Sequence, residues 1–125
     1  MLVPYIRSMS TKQQPTKYFV KIDGDSSGEM FVEPKTKAFD TFEEAKAEYR
    51  RLRLEDYVTY SEEEDEEFMR ELTERIDALT DPGRDCVIDS FNYENSDLSD
   101  ENTYMNLEIS LVRSSTYKTR IVYEV

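Results

Sequence analysis

Six carboxylates stand in a row from Glu62 to Glu67, inside the stretch YSEEEDEEF, and a segment of helical spacing, FMRELTERIDAL, overlaps its end. Acids so placed can do catalytic or metal-binding work in pairs, or they can attract a basic surface. A catalytic pair needs two acids in opposed environments that split their pKa values, and nothing in the run marks two of its members as sheltered. The rest of the sequence narrows catalysis further. The absence of histidine removes Ser-His-Asp and Cys-His nucleophiles, imidazole acid-base chemistry and the commonest zinc ligand together. Glycines occur only at 24, 28 and 83, so there is neither a G-x-G-x-x-G turn nor a phosphate-binding loop. The single Cys86 adjoins Asp85, whose charge disfavours a reactive thiolate; one thiol supports no disulfide framework and no multi-cysteine metal site. The expectation is a non-enzymatic protein with no catalytic residue, cofactor or metal.

One stretch imitates a calcium loop. Asp23-Gly24-Asp25-Ser26-Ser27-Gly28 offers oxygen side chains at the first, third and fifth positions and glycine at the sixth. The twelfth position, which should be a bidentate Glu, is Pro34, and the preceding residues alternate like a strand rather than a helix. Asp, Gly and Ser are also the residues a hairpin turn needs, and that is the expected use of this stretch.

The formal charge of -12 is not spread evenly. Residues 55–101 carry eighteen acids against three bases, whereas residues 1–22 carry four bases and no acid. A halophilic protein would distribute its acids; here one block holds the excess, which repels nucleic acid and anionic lipid and attracts basic surfaces. The longest apolar runs are a few residues, too short to cross a bilayer, so a cytoplasmic protein is expected.

The elements that must position this charge follow from periodicity. Residues 1–16, with Pro4 and Pro15, read as a flexible arm, and residues 17–125 as a single α+β domain. KYFVKID alternates Tyr18, Val20 and Ile22 against Phe19 and Lys21; EMFVE, after the expected turn, would complete a hairpin ending at Pro34. A helix follows with Asp40 or Thr41 as N-cap, burying Phe42, Ala45, Tyr49 and Leu52 and placing Arg50, Arg51 and Arg53 near its end. A second helix is expected from Ser61, with Glu64 completing a capping box, burying Phe68, Met69, Leu72, Ile76 and Leu79 and stopping at Asp81-Pro82-Gly83. Three alternating segments then begin near Cys86, Met105 and Tyr117. The reading is an antiparallel sheet of about five strands in the order ββααβββ, with two helices packed on one face.

On the second helix, 100° per residue sets Glu63, Glu67, Glu74, Asp77 and Asp81 opposite the apolar stripe. Residues four apart rise about 6 Å, near the phosphate spacing of a nucleic acid strand. Acids are also favoured in the first turn of any helix, so the run serves equally as a solvated face. An acidic block on a small scaffold without catalytic equipment resembles, in composition and architecture, the DNA-mimic inhibitors of phages and mobile elements, such as anti-restriction, anti-CRISPR and glycosylase-inhibitor proteins. No motif carries that resemblance, so it assigns no residue. It implies docking on, and inhibition of, a basic nucleic-acid-binding enzyme or regulator, with no direct contact to nucleic acid or membrane. Glu62, Glu63, Glu66, Glu67, Glu74 and Asp77 would then steer association, and Tyr57 and Tyr60, between the helices, would supply contact area. The alternative is a structural or adaptor module whose acids serve solubility.

Overall fold

The computed structural model describes residues 16–115. The chain is α+β; among the described residues it has one four-stranded antiparallel sheet and three helices. Strand β1 spans Lys17–Ser27, and β2 spans Lys35–Phe39. Helix α1, Phe42–Arg51, continues into a π turn at Leu52–Asp56; α2 is Tyr60–Glu64 and α3 is Glu66–Asp77. Strands β3, Cys86–Asp97, and β4, Asp100–Ser114, close the order. In the sheet the strands run β2-β1-β4-β3, so β4 lies inside and β3 forms an edge.

The core forms where period two meets period three and a half. Tyr18, Val20 and Ile22 from β1 and Leu107, Ile109 and Leu111 from β4 turn to one face, and Phe42, Ala45, Tyr49 and Leu52 of α1 close over them. Tyr49, Leu107, Ile109 and Leu111 are fully buried. Helix α3 contributes buried Leu72 and Ile76 and is tied to α1 through its C-terminal end, where Lys46 Nζ donates to the carbonyls of Asp77 and Leu79.

Several expectations are corrected. Asp23–Ser27 is not a turn but the continuation of β1, paired with β4 as far as Ser27–Tyr104. Gly24 is required there because a Cβ would sit 2.3 Å from the carbonyl oxygen of Asn106, at φ 135°. The chain turns instead through a 3-10 turn at Gly28–Met30, and Ser26 Oγ pins the following loop by accepting from Val32 N and donating to its carbonyl. The partner of β1 is therefore β2, beyond Pro34, and not residues 29–33. The polar stretch 94–102, which precedes the alternating segment expected from Met105, is mostly strand: β3 runs to Asp97, β4 starts at Asp100, and Asp97 Oδ1 accepts from the backbone and hydroxyl of Ser99 to close the turn. In β3 a register shift between Val87 and Asp89 breaks the expected alternation and turns Asp89 toward α1, where it meets Tyr49. Among the described residues the order is ββαααββ, with a third helix where two were expected; the expected fifth strand, beginning at Tyr117, lies outside the described residues.

Candidate functional site

The acid run is shaped by the helix N-termini it supplies. Thr59 caps α2, accepting from Glu62 N while Glu62 Oε2 accepts from Thr59 N, a capping box two residues earlier than the expected Ser61 and Glu64. At Asp65 the backbone leaves the helical region, with φ -91° and ψ 98°, and its carboxylate accepts from Phe68 N to start α3. The single expected helix is thus two, because Asp65 competes for a free N–H more effectively than it continues the helix. Glu62 and Glu63 fall in the first turn of α2, and Glu66 and Glu67 in that of α3, where two positive helix ends offset part of their mutual repulsion.

The arginines of α1 do not reach this run. Arg50 holds Asp77 instead, at 2.7 Å from Nε and 3.4 Å from Nη2, and its guanidinium keeps the Asp77 carboxyl below the usual carboxylate range. Arg51 binds Glu48 and Asp56. Arg53 stacks over the ring of Phe91, 4.3 Å from its centroid. Arg75 pairs with Asp89 rather than with a neighbouring glutamate. Of the acids expected to face a partner, Asp77 is therefore compensated within the fold, and Glu62 is half-buried at its cap. Glu63, Glu66, Glu67 and Glu74 are exposed, with no cation at ion-pair distance among the described residues.

The two tyrosines divide. Tyr60 projects from the start of α2, 77% exposed. Tyr57 is half-buried and packs edge-on against Tyr93 of β3, with ring centroids 5.3 Å apart. That pair forms one wall of a cleft of about 280 Å³ between the helices and the middle of β3. Phe68, Leu72, Phe91 and Arg53 line it, with Glu62 and Glu94 among the flanking residues. Phe68, expected in the core, is 36% exposed here because the break at Asp65 leaves it on the first turn of α3, at the core's margin. The π turn sets Arg53 over Phe91 and delivers Tyr57 to Tyr93; such turns insert a residue and re-aim the side chains that follow. Nε and Nη1 of Arg53 are buried with no acceptor among the described residues.

A second acidic surface emerges on the sheet face opposite the helices. Asp23 of β1 and Glu108 of β4 are direct cross-strand neighbours, and Asn92 of β3 continues the row. Asp25, Asn106 and Glu94 form the next row, with Asp25 accepting from Tyr104 Oη at 2.9 Å. Like charges directly opposite cost stability, and no basic residue pairs with Asp23 or Glu108 among the described residues. The sequence reading missed this surface because it assigned Asp23 and Asp25 to a turn; the clean alternation of Asn106 and Glu108 carried half of the signal.

No protein-family model, curated protein or solved structure matches the chain.

Proposed function

We propose that this is a non-enzymatic acidic binding protein that docks on a basic, nucleic-acid-binding protein and inhibits it. The observation that carries this reading is the set Glu63, Glu66, Glu67 and Glu74: exposed and without an ion-pair partner among the described residues, even though three arginines stand on the neighbouring helical segment. Charge so placed raises the rate of encounter with a cationic surface and loses its reach as salt shortens the screening length. Tyr60, projecting beside the run, adds aromatic contact area once water is excluded. Asp77 drops out of the steering set because Arg50 neutralises it. The negative row on the open sheet face extends the same potential around the molecule.

Affinity purification of the full chain from its native host, at low and high ionic strength, tests this reading. The expected catch is a nucleic-acid-binding protein that is released by salt and is absent when Glu62, Glu63, Glu66 and Glu67 are changed to Gln. Gln at position 62 keeps an acceptor for Thr59 N, so the capping box survives the substitution. A partner retained equally at both ionic strengths and by the Gln variant would instead favour the adaptor reading, in which the acids serve solubility.

A further inference from the structure

The partner in this reading need not be held by charge alone. The outer edge of β3 is twelve residues long, and no strand among the described residues pairs with it. The opposite edge, β2, is five residues, begins just after Pro34 and carries Lys35 and Lys37, features that discourage strand addition. The aromatic cleft opens beside the middle of the β3 edge, since Phe91, Asn92, Tyr93 and Glu94 are among its lining residues. Phe68, Leu72, Phe91 and the Tyr57–Tyr93 pair give it apolar surface, Glu62 flanks it, and Glu94 stands at the same edge with its side chain on the opposite sheet face. An anionic ligand would meet Glu62 in the cleft and Glu94 across the edge, whereas a cationic side chain answers either glutamate.

We infer that the β3 edge at Phe91–Glu94 and the adjoining cleft bind an extended basic segment of the partner protein as an added strand. One bulky apolar side chain fills the space between Tyr57, Phe68 and Tyr93, and a Lys or Arg nearby in the segment meets Glu62 in the cleft or Glu94 across the edge. Main-chain pairing supplies affinity in this mode, and the pocket supplies specificity. The inference rests on the proposed docking of a basic partner and names the part of that partner which is gripped.

The probe is a random-peptide phage library panned against the full chain at low ionic strength. Selected peptides should alternate Lys or Arg with bulky apolar residues. Their affinity should fall about tenfold or more with Phe68→Ala, a half-exposed position whose truncation spares the main core. On the wild-type protein, a selected peptide should shift the amide resonances of residues 91–94 and slow their hydrogen exchange. An absence of selected peptides, or peptides that leave those amides unchanged, overturns the inference. Peptides lost on Glu63→Gln, Glu66→Gln, Glu67→Gln and Glu74→Gln together but indifferent to Phe68→Ala overturn it while leaving the charge reading intact. Sensitivity to Phe68→Ala with indifference to those four changes supports edge binding and removes charge as its driving force.

Discussion

Tyr49 is the side chain on which the buried polar contacts converge. Its ring is fully buried beneath α1, and its hydroxyl donates to Asp89 Oδ2 at 2.6 Å, while Arg75 donates to Oδ1 of the same carboxylate at 2.6 Å. Burial, and then the adjoining Asp89 carboxylate, push the Tyr49 phenol well above its ordinary value. A raised phenol contributes stability that is fully present below the unfolded value, about pH 10, and is lost as pH rises from there toward the folded value. The expected outcome is a loss of stability above about pH 10 that becomes less pH-dependent in Tyr49→Phe. Tyrosinate absorbance and circular dichroism followed together would reveal it, and titration of every tyrosine near pH 10 with the fold intact would contradict it. At neutral pH the same substitution should cost about 1–3 kcal/mol in urea unfolding, because Asp89 loses a donor in a part-buried site. Gly24 is a second decisive position. Gly24→Ala must displace the Asn106 backbone and adopt an unfavourable φ, so a loss of about 3 kcal/mol or more is expected in the same assay. Tyr49 was legible as a core residue from its spacing with Phe42 and Ala45. Its partner Asp89 was not, since the register shift that aims it inward leaves no trace in the alternation of the flanking residues.

At the level of elements, hydrophobic period identified β1, β3, β4 and α1 but misplaced β2, and caps and breaks were harder to place. The first cap was legible as Asp40 or Thr41, and it is Thr41 whose Oγ1 accepts from Glu44 N. Around the acid run, Thr59, Ser61 and Asp65 all have cap chemistry, and sequence spacing alone does not rank them; the fold uses Thr59 and Asp65. Asp65→Ala should therefore cost about 1 kcal/mol and fray the start of α3, whereas Ser61→Ala should be nearly silent, as urea titrations of the two variants would show. Changing Glu62, Glu63, Glu66 and Glu67 together to Gln removes like-charge contacts worth tenths of a kcal/mol each and favourable helix-end interactions of similar size, so the opposing terms nearly cancel. Stability within about 1 kcal/mol of wild type is expected, and a loss of more than about 2 kcal/mol would mean that these acids serve the fold. Past Gly24, β1 was read as a turn because Asp, Gly and Ser are turn residues. Here the glycine answers a close approach of β4 instead.

Over the whole molecule, the sequence made the asymmetry of charge plain but not its distribution in space. The excess between residues 55 and 101 divides among compensated acids at Asp77, Asp81, Asp85 and Asp89, exposed acids on α2 and α3, and an open-face row to which Glu108, from outside that block, also contributes. Neither the cleft nor the edge position of β3 among the described residues could be read in advance, because both depend on strand order, which periodicity does not encode. The account stands on exposed acids whose charge is uncompensated by any cation among the described residues and is therefore available to another surface. Its most direct test is the affinity of the captured partner for the wild-type chain and for the four-Gln variant at about 50 mM and about 500 mM salt. The account predicts wild-type binding that weakens by about tenfold or more across that range, and variant binding that is weak at the lower salt and changes little at the higher. Equal affinities for the two proteins at both concentrations would contradict it.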